Sequence, residues 1–132
     1  MKFLLDTDTC IYALKRNEKV LKHLLSESRA DIALSVITEA ELRTGAAKSA
    51  SPVKTSGLLE NFLRPLTLVE FTSADAVSYA HVRAKLERAG TPIGPLDTLI
   101  AAQAMCRKLV LVTNNEREFR RVSGLRVETW AQ

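Results

Sequence analysis

The first eight residues constrain this chain more than any other stretch. Phe3-Leu4-Leu5 is a short apolar run that ends abruptly in Asp6-Thr7-Asp8, two carboxylates one residue apart. A run of that length, closed by polar residues, predicts a buried strand, and Cys10 to Leu14 predicts the first turns of a helix. Asp6 and Asp8 then stand where a strand hands over to a helix. In open α/β sheets, the crevice beyond the strands' carboxyl ends is where ligands bind. An ionised carboxylate is costly to bury without a partner, so a strand that ends in Asp invites a cation. The alternative for Asp8 or Thr9 is a helix cap.

The rest of the chain repeats this alternation. Helical spacing runs over 9–16 and 18–26, and a second short strand over 31–35 ends in Ser35, which can cap a helix over 36–47. That helix carries Glu39 and Glu41, which lie about 200° apart around its axis, so only one can face a given site. Glu41 shares a stripe with Ile37 and Gly45 and is the one expected to point inward, with Gly45 admitting another segment close by. Residues 49–52 form the most loop-like stretch. An amphipathic helix around 58–63 is stopped by Pro65, a strand follows over 66–71, and a long helix runs from Ser73 to a stop at Gly90. Its inner side is expected to include Val77, Ala80, His81, Ala84 and Leu86, with His81 as a core or interface histidine. His23, among Lys and Glu, is expected at the surface.

A second unusual stretch is Pro92-Ile-Gly-Pro95-Leu-Asp97. Pro95 suits the first position of a helix that is apolar through Met105, and this puts Asp97 in its first turn. A helix N-terminus favours a carboxylate there. Apolar neighbours on both sides also imply burial, which calls for a metal or a base. The clearest strand, 109–113, is a continuous apolar run of the kind buried on both faces in a parallel sheet. It ends in Thr113-Asn114-Asn115, followed by a short helix over 116–121 with Phe119 inward, an edge strand at 126–128 and Trp130 as a C-terminal anchor. Strands alternating with helices predict βαβ units and a mostly parallel sheet, with Asp6, Asn115 and the starts of the helices bearing Glu41 and Asp97 drawn to one edge.

At 132 residues the chain suits one domain over 1–132. No run is long enough to span a membrane, and acid at position 6 breaks any signal-peptide core. Cys10 and Cys106 form no metal spacing, and both are expected to be buried small hydrophobes in a reducing cytoplasm. Net charge is +4, which permits a polyanionic partner without demanding one. The excess is concentrated at 15–29 and 107–126. Arg117, Arg120 and Arg121 are candidates to hold a nucleic-acid backbone.

Three carboxylates and an amide, without a convergent His, Cys or Ser pattern, point to a hard cation, magnesium or manganese rather than zinc. Such a site suits phosphodiester hydrolysis.

Leu4-Leu5-Asp6-Thr7, Ser35-Val-Ile-Thr-Glu-Ala-Glu41-Leu42 with Gly45, Pro92-Ile-Gly-Pro-Leu-Asp97 with Ile100-Ala101, and Leu111-Val-Thr113-Asn114-Asn115 with Glu118-Phe119, in this order and spacing, resemble a PIN-domain ribonuclease. More narrowly, the chain resembles the VapC toxins of bacterial VapBC toxin–antitoxin systems. The resemblance covers nearly the whole chain. It implies a three-layer α/β/α sandwich with a mostly parallel sheet. It also implies magnesium-dependent endonucleolytic cleavage of RNA, with tRNA anticodon loops as a substrate of some members. Asp6, Glu41 and Asp97 match the family's acids, Asp6 and Asp97 being the principal metal ligands, and Asn115 stands where many members carry a fourth acid. Asp8 stands where many have Asn or Ser. The resemblance further implies a cognate VapB-like antitoxin, a homodimer, and operator DNA bound only through the antitoxin complex. Two rivals share features with it. A haloacid-dehalogenase-type phosphatase would use Asp6 as nucleophile, and a catalytically inert PIN-like module would bind RNA only.

Overall fold

The computed structural model describes residues 1–132. Its centre is a sheet of five short parallel strands: β1 (Phe3–Leu5), β2 (Ile32–Ser35), β3 (Thr67–Val69), β4 (Val110–Val112) and β5 (Val127–Glu128), in the order β3-β2-β1-β4-β5. Leu4 pairs in register with Ala33 on one side and Leu111 on the other. Seven helices connect and cover the strands: α1 (Thr7–Leu14), α2 (Glu18–Ser26), α3 (Val36–Ala47), α4 (Pro52–Leu63), α5 (Ser73–Arg88), α6 (Pro95–Arg107) and α7 (Glu116–Phe119).

The two-residue alternation of the strands sorts the core into two layers. Phe3, Leu5, Ile32, Leu34 and Val112 pack under α1–α4, with Cys10, Val20, Leu42, Leu59 and Trp130. Leu4, Ala33 and Leu111 point the other way, against Val82, Ile100, Ala101, Ala104 and Phe119 from α5–α7. Both faces of the three inner strands are therefore covered, which is why β1, β2 and β4 read as mainly apolar runs, whereas the edge strands β3 and β5 keep exposed residues. Leu4, Leu5, Ile32, Leu34 and Leu111 are wholly buried, each contributing about 1.5–3 kcal/mol of transfer free energy. This is the expected three-layer α/β/α sandwich, with a sheet that is parallel throughout. Trp130 anchors the C-terminus edge-on against Phe3, and the exposed His23 stacks on its indole.

Strand order fixes where a site can form. The chain steps outward from β1 to β2 to β3, then returns to lay β4 and β5 on the other side of β1. The order reverses between β1 and β4, and the crevice beyond their carboxyl ends is the switch point where α/β sheets bind ligands.

Several local expectations are corrected. Asp6, not Asp8 or Thr9, caps α1, its side chain accepting from the Thr9 N–H, so the helix starts at Thr7. Pro52 opens α4 instead of lying in a loop. On α5 Leu86 is buried as expected, but Asp75 and Val82 complete the buried side, whereas Val77, Ala80 and His81 are exposed. An aspartate in the helix's first turn forms part of its inner face, so spacing of apolar residues alone misplaced that face. Cys10 is buried but Cys106 is exposed. At Gly45 an added Cβ would meet nothing within 4 Å, so no other segment of the chain approaches there. No helix is long and apolar enough to cross a membrane.

Candidate active site

The acids gather at the β1/β4 switch point. Asp6 follows the last residue of β1 and is only 3% exposed. Its two oxygens are held by different elements: one accepts the Thr9 N–H of α1 at 2.8 Å, the other the Thr113 hydroxyl at the end of β4 at 2.5 Å. Thr113 in turn accepts the Asn115 N–H at 2.8 Å, so the chain entering α7 is tied through one hydroxyl to Asp6. The Asp6 N–H donates to the Val112 carbonyl, which also accepts from the Thr9 hydroxyl. Sheet ladder, helix cap and hydroxyl relay all converge on this carboxylate and fix its rotamer.

Glu41 arrives from the second turn of α3. The Thr7 hydroxyl of α1 donates to it at 2.7 Å, which orients it toward the first turn of α1 and so toward Asp6. The inward choice of Glu41 over Glu39 holds, since Glu39 pairs with Arg43 at the surface. Asp97 sits in the first turn of α6, where Gly94 caps the helix and Pro95 opens it. Its carboxylate folds back over Gly94, where an added Cβ would lie 3.7 Å from Asp97 Oδ2. Asn115 occupies the position before α7, half-buried, and the Thr113 hydroxyl holds its backbone.

The electrostatics show that these groups share one space. Burial, then the charges of Asp6, Glu41, Glu118 and Asp8, push the Asp97 carboxyl up to about 6. Burial likewise raises Asp6, against hydrogen bonds from Thr113 and Thr9 that lower it. Of the five acids, not one forms an ion pair with a lysine or arginine; the chain's ion pairs lie elsewhere, on Glu39, Glu60, Asp75, Glu87 and Glu116. No three side chains are yet drawn close enough to enclose a metal ion by themselves. The donor set nevertheless fits a hard divalent cation: the oxygens are carboxylate and hydroxyl, and the acids have no cationic partner from the chain.

Glu118 was missed as an acid of this site. Its signal was its place one residue before the inward Phe119 on a helix that starts at a strand's carboxyl end. The hydroxyls of Thr7, Thr9 and Thr113 were missed for lack of any periodic signal; only the three-dimensional fold shows what they touch. An apolar groove of about 440 Å³ is separate. It lies among α1, α3 and α4, is lined by Ile11, Leu14, Leu42, Leu58 and Leu59, and meets the acids only at Glu41.

A fully parallel α/β/α sandwich with oxygen-only acids at its switch point defines the class. Residues 3–125 match the family model described as PIN domain, and the chain belongs to that family. Its relatives there are VapC ribonucleases. The tRNA(fMet)-specific endonuclease VapC of Salmonella typhimurium is 39% identical over 130 residues, 98% of each chain. Ribonuclease VapC2 of Haemophilus influenzae is 38% identical over 130 residues, again 98% of each. Among solved structures, the DNA-bound VapBC complex of Salmonella typhimurium matches with a TM-score of 0.94 at 39% identity over 98% of each chain. VapBC2 of Rickettsia felis, bound to a promoter DNA fragment, matches with a TM-score of 0.93 at 34% identity over 98% of this chain and 99% of that one.

Proposed function

We propose that this protein is a magnesium-dependent endoribonuclease, the toxin of a VapBC-type toxin–antitoxin pair acting in the cytoplasm. The observation that carries this reading is the set of five carboxylates at the β1/β4 switch point without a single cationic partner, one of them held at about 6. Asp6 and Asp97 would hold the ion, magnesium or manganese. When bound, it supplies charge neutralisation on the phosphodiester and a lowered pKa for a bound water. Asp6 is fixed by Thr113 and Thr9 and offers one pre-set oxygen direction. Glu41, oriented by Thr7, is placed to accept a proton from the attacking water. Asn115, with its backbone pinned, can donate to or accept from the substrate without adding charge.

The relatives' names support RNA as substrate, with tRNA the favoured class. The VapBC complexes support a small VapB-like antitoxin as partner, and operator DNA bound only through that complex. The apolar groove ending at Glu41 supports the same partner: an apolar segment seated on exposed Ile11 and Leu58 would finish beside the acids. A homodimer is part of the same proposal. The phosphatase alternative is disfavoured because the matched family model and the named relatives support a ribonuclease.

Purified protein should cleave RNA in magnesium and stop in EDTA. Sequencing of RNA 5′ ends after induced expression should show one dominant cut. Equal cleavage with and without EDTA would overturn the metal reading.

A further inference from the structure

A second groove lies on the other flank of the helix turn that bears Asp97. It measures about 380 Å³ and sits between the C-terminal half of α5 and the Thr91–Gly94 segment; small-molecule sites span about 300–1,000 Å³. Thr98 belongs to its wall, and Asp97 to the acid pocket. Consecutive helical residues point about 100° apart, so the groove and the acids are adjacent sides of one turn, separated by Gly94-Pro95.

Its lining is not generic. Tyr79, Arg83 and Glu87 form an i, i+4, i+8 stripe along α5. The Arg83 guanidinium lies 6.0 Å from the Tyr79 ring centroid, donates to the Tyr79 hydroxyl at 3.1 Å and to Glu87 at 2.9 Å. These bonds tether the guanidinium near the hydroxyl end of the ring, while the Arg83 side chain stays 60% exposed. Opposite stand Pro92, Ile93 and Pro95, with two prolines whose φ is locked. A groove lined by an aromatic ring, a tethered guanidinium and apolar residues that include two prolines offers the surfaces a flat heterocycle needs. Splayed RNA bases stack on such aromatic and Arg planes and bond through their edges. The rim also offers a donor, Arg83, and an acceptor, Glu87, for a base edge.

We propose that this groove is a nucleobase subsite, taking the base of the nucleotide next to the phosphodiester held at the acids. The inference rests on the ribonuclease reading and deepens it: the slot selects which base flanks the cut, and Tyr79 and Arg83 set specificity without touching the reacting atoms.

The test reads binding, not cleavage. Amide chemical shifts of the protein are followed while adenosine, guanosine, cytidine or uridine 5′-monophosphate is added, with ribose 5-phosphate as control. The expected result is saturable shifts at Tyr79, Arg83 and Thr98 with at least one nucleotide and none with ribose 5-phosphate. Tyr79→Ala should weaken that binding at least about fivefold, the low end for a base stacked on an aromatic ring, while Tyr79→Phe, which keeps the ring, retains it. Equal shifts with ribose 5-phosphate, no shift with any nucleotide, or unchanged binding in Tyr79→Ala would overturn the proposal. So would shifts at these residues that follow dilution alone, which would assign the groove to a contact between copies. Nucleotide binding in a protein that cuts no RNA would keep the subsite and sink the ribonuclease reading.

Discussion

Two aspartates in this molecule are almost entirely buried, and they have been treated in opposite ways. Asp75, at 0% exposure, lies in the first turn of α5 in a capping box with Thr72. Burial pushes its carboxyl up, but the Thr72 N–H and the Arg107 guanidinium at 3.0 Å outweigh it and hold it below the usual range. Gln103 adds a third donor at 3.5 Å. Asp6, at 3%, is also a helix cap with two donors, yet its carboxyl stays raised, because burial, with a smaller push from Asp8, outweighs the Thr113 and Thr9 hydrogen bonds and no cation offsets it. The structural acid brings its counter-ion in the same chain. The acid at the switch point leaves that place to something from outside.

The comparison predicts contrasting consequences, the largest at the acid pocket. Asp6→Asn or Asp97→Asn should lower magnesium-dependent RNA cleavage about a thousandfold or more, since the ion supplies several kcal/mol of charge stabilisation. Thermal stability in EDTA should hold or rise, because each change removes a raised acid. Cleavage assays paired with melting curves check both halves, and wild-type rates in either variant would break the comparison. Next in size is the other aspartate. Arg107→Met leaves Asp75 buried and unpaired and should cost about 3 kcal/mol, the lower end for breaking a buried pair because Arg107 keeps some exposure to water. Urea unfolding measures this, and Asp75→Asn in the same chain should restore part of it.

A smaller effect concerns pH. Asp97 sits at about 6 in the folded chain against 3.8 when free. The folded state therefore binds that proton more tightly, and without a cation the stability from this group is lost as pH rises from about 4 to 6. Magnesium should then raise the melting temperature clearly at pH 7.5 and little at pH 5, and Asp97→Asn should flatten the difference. A magnesium response equal at both values would separate Asp97 from the ion. The smallest effect is at the basic helix. Arg120 is taken by Glu116 and Arg121 by the Pro92 carbonyl, but Arg117 makes no bond within the chain. Arg117→Ala should flatten the salt dependence of RNA binding by about 0.7 in log–log slope, one phosphate contact to a single strand. An unchanged slope would leave it a plain surface residue.

The same contrast explains what could be read from the residues alone. The β1 and β4 runs, the Gly94-Pro95 helix start and the inward Glu41 carry local signals: apolar continuity, fixed φ, helical phase. These placed the fold and three acids of the pocket. Asp75 was invisible because its partner Arg107 is 32 residues away and nothing local marks a polar residue on an inner helix face; the same gap put His81 and Val77 on the wrong side of α5. Glu118 was hidden in a four-residue helix too short for a periodic pattern. The hydroxyls of Thr7 and Thr113 acquire meaning only once α1, α3 and β4 meet.

Asp6 starts α1 and also contributes a negative charge to the crevice. Asparagine begins helices as well as aspartate does, so the acid-to-amide change separates the two duties, whereas alanine would abolish both. A chain altered in that single group would keep its shape and its outer surfaces while losing its bite. Under the proposed toxin reading, such a chain produced beside the intact protein would act as a decoy, binding the antitoxin meant for the active copy.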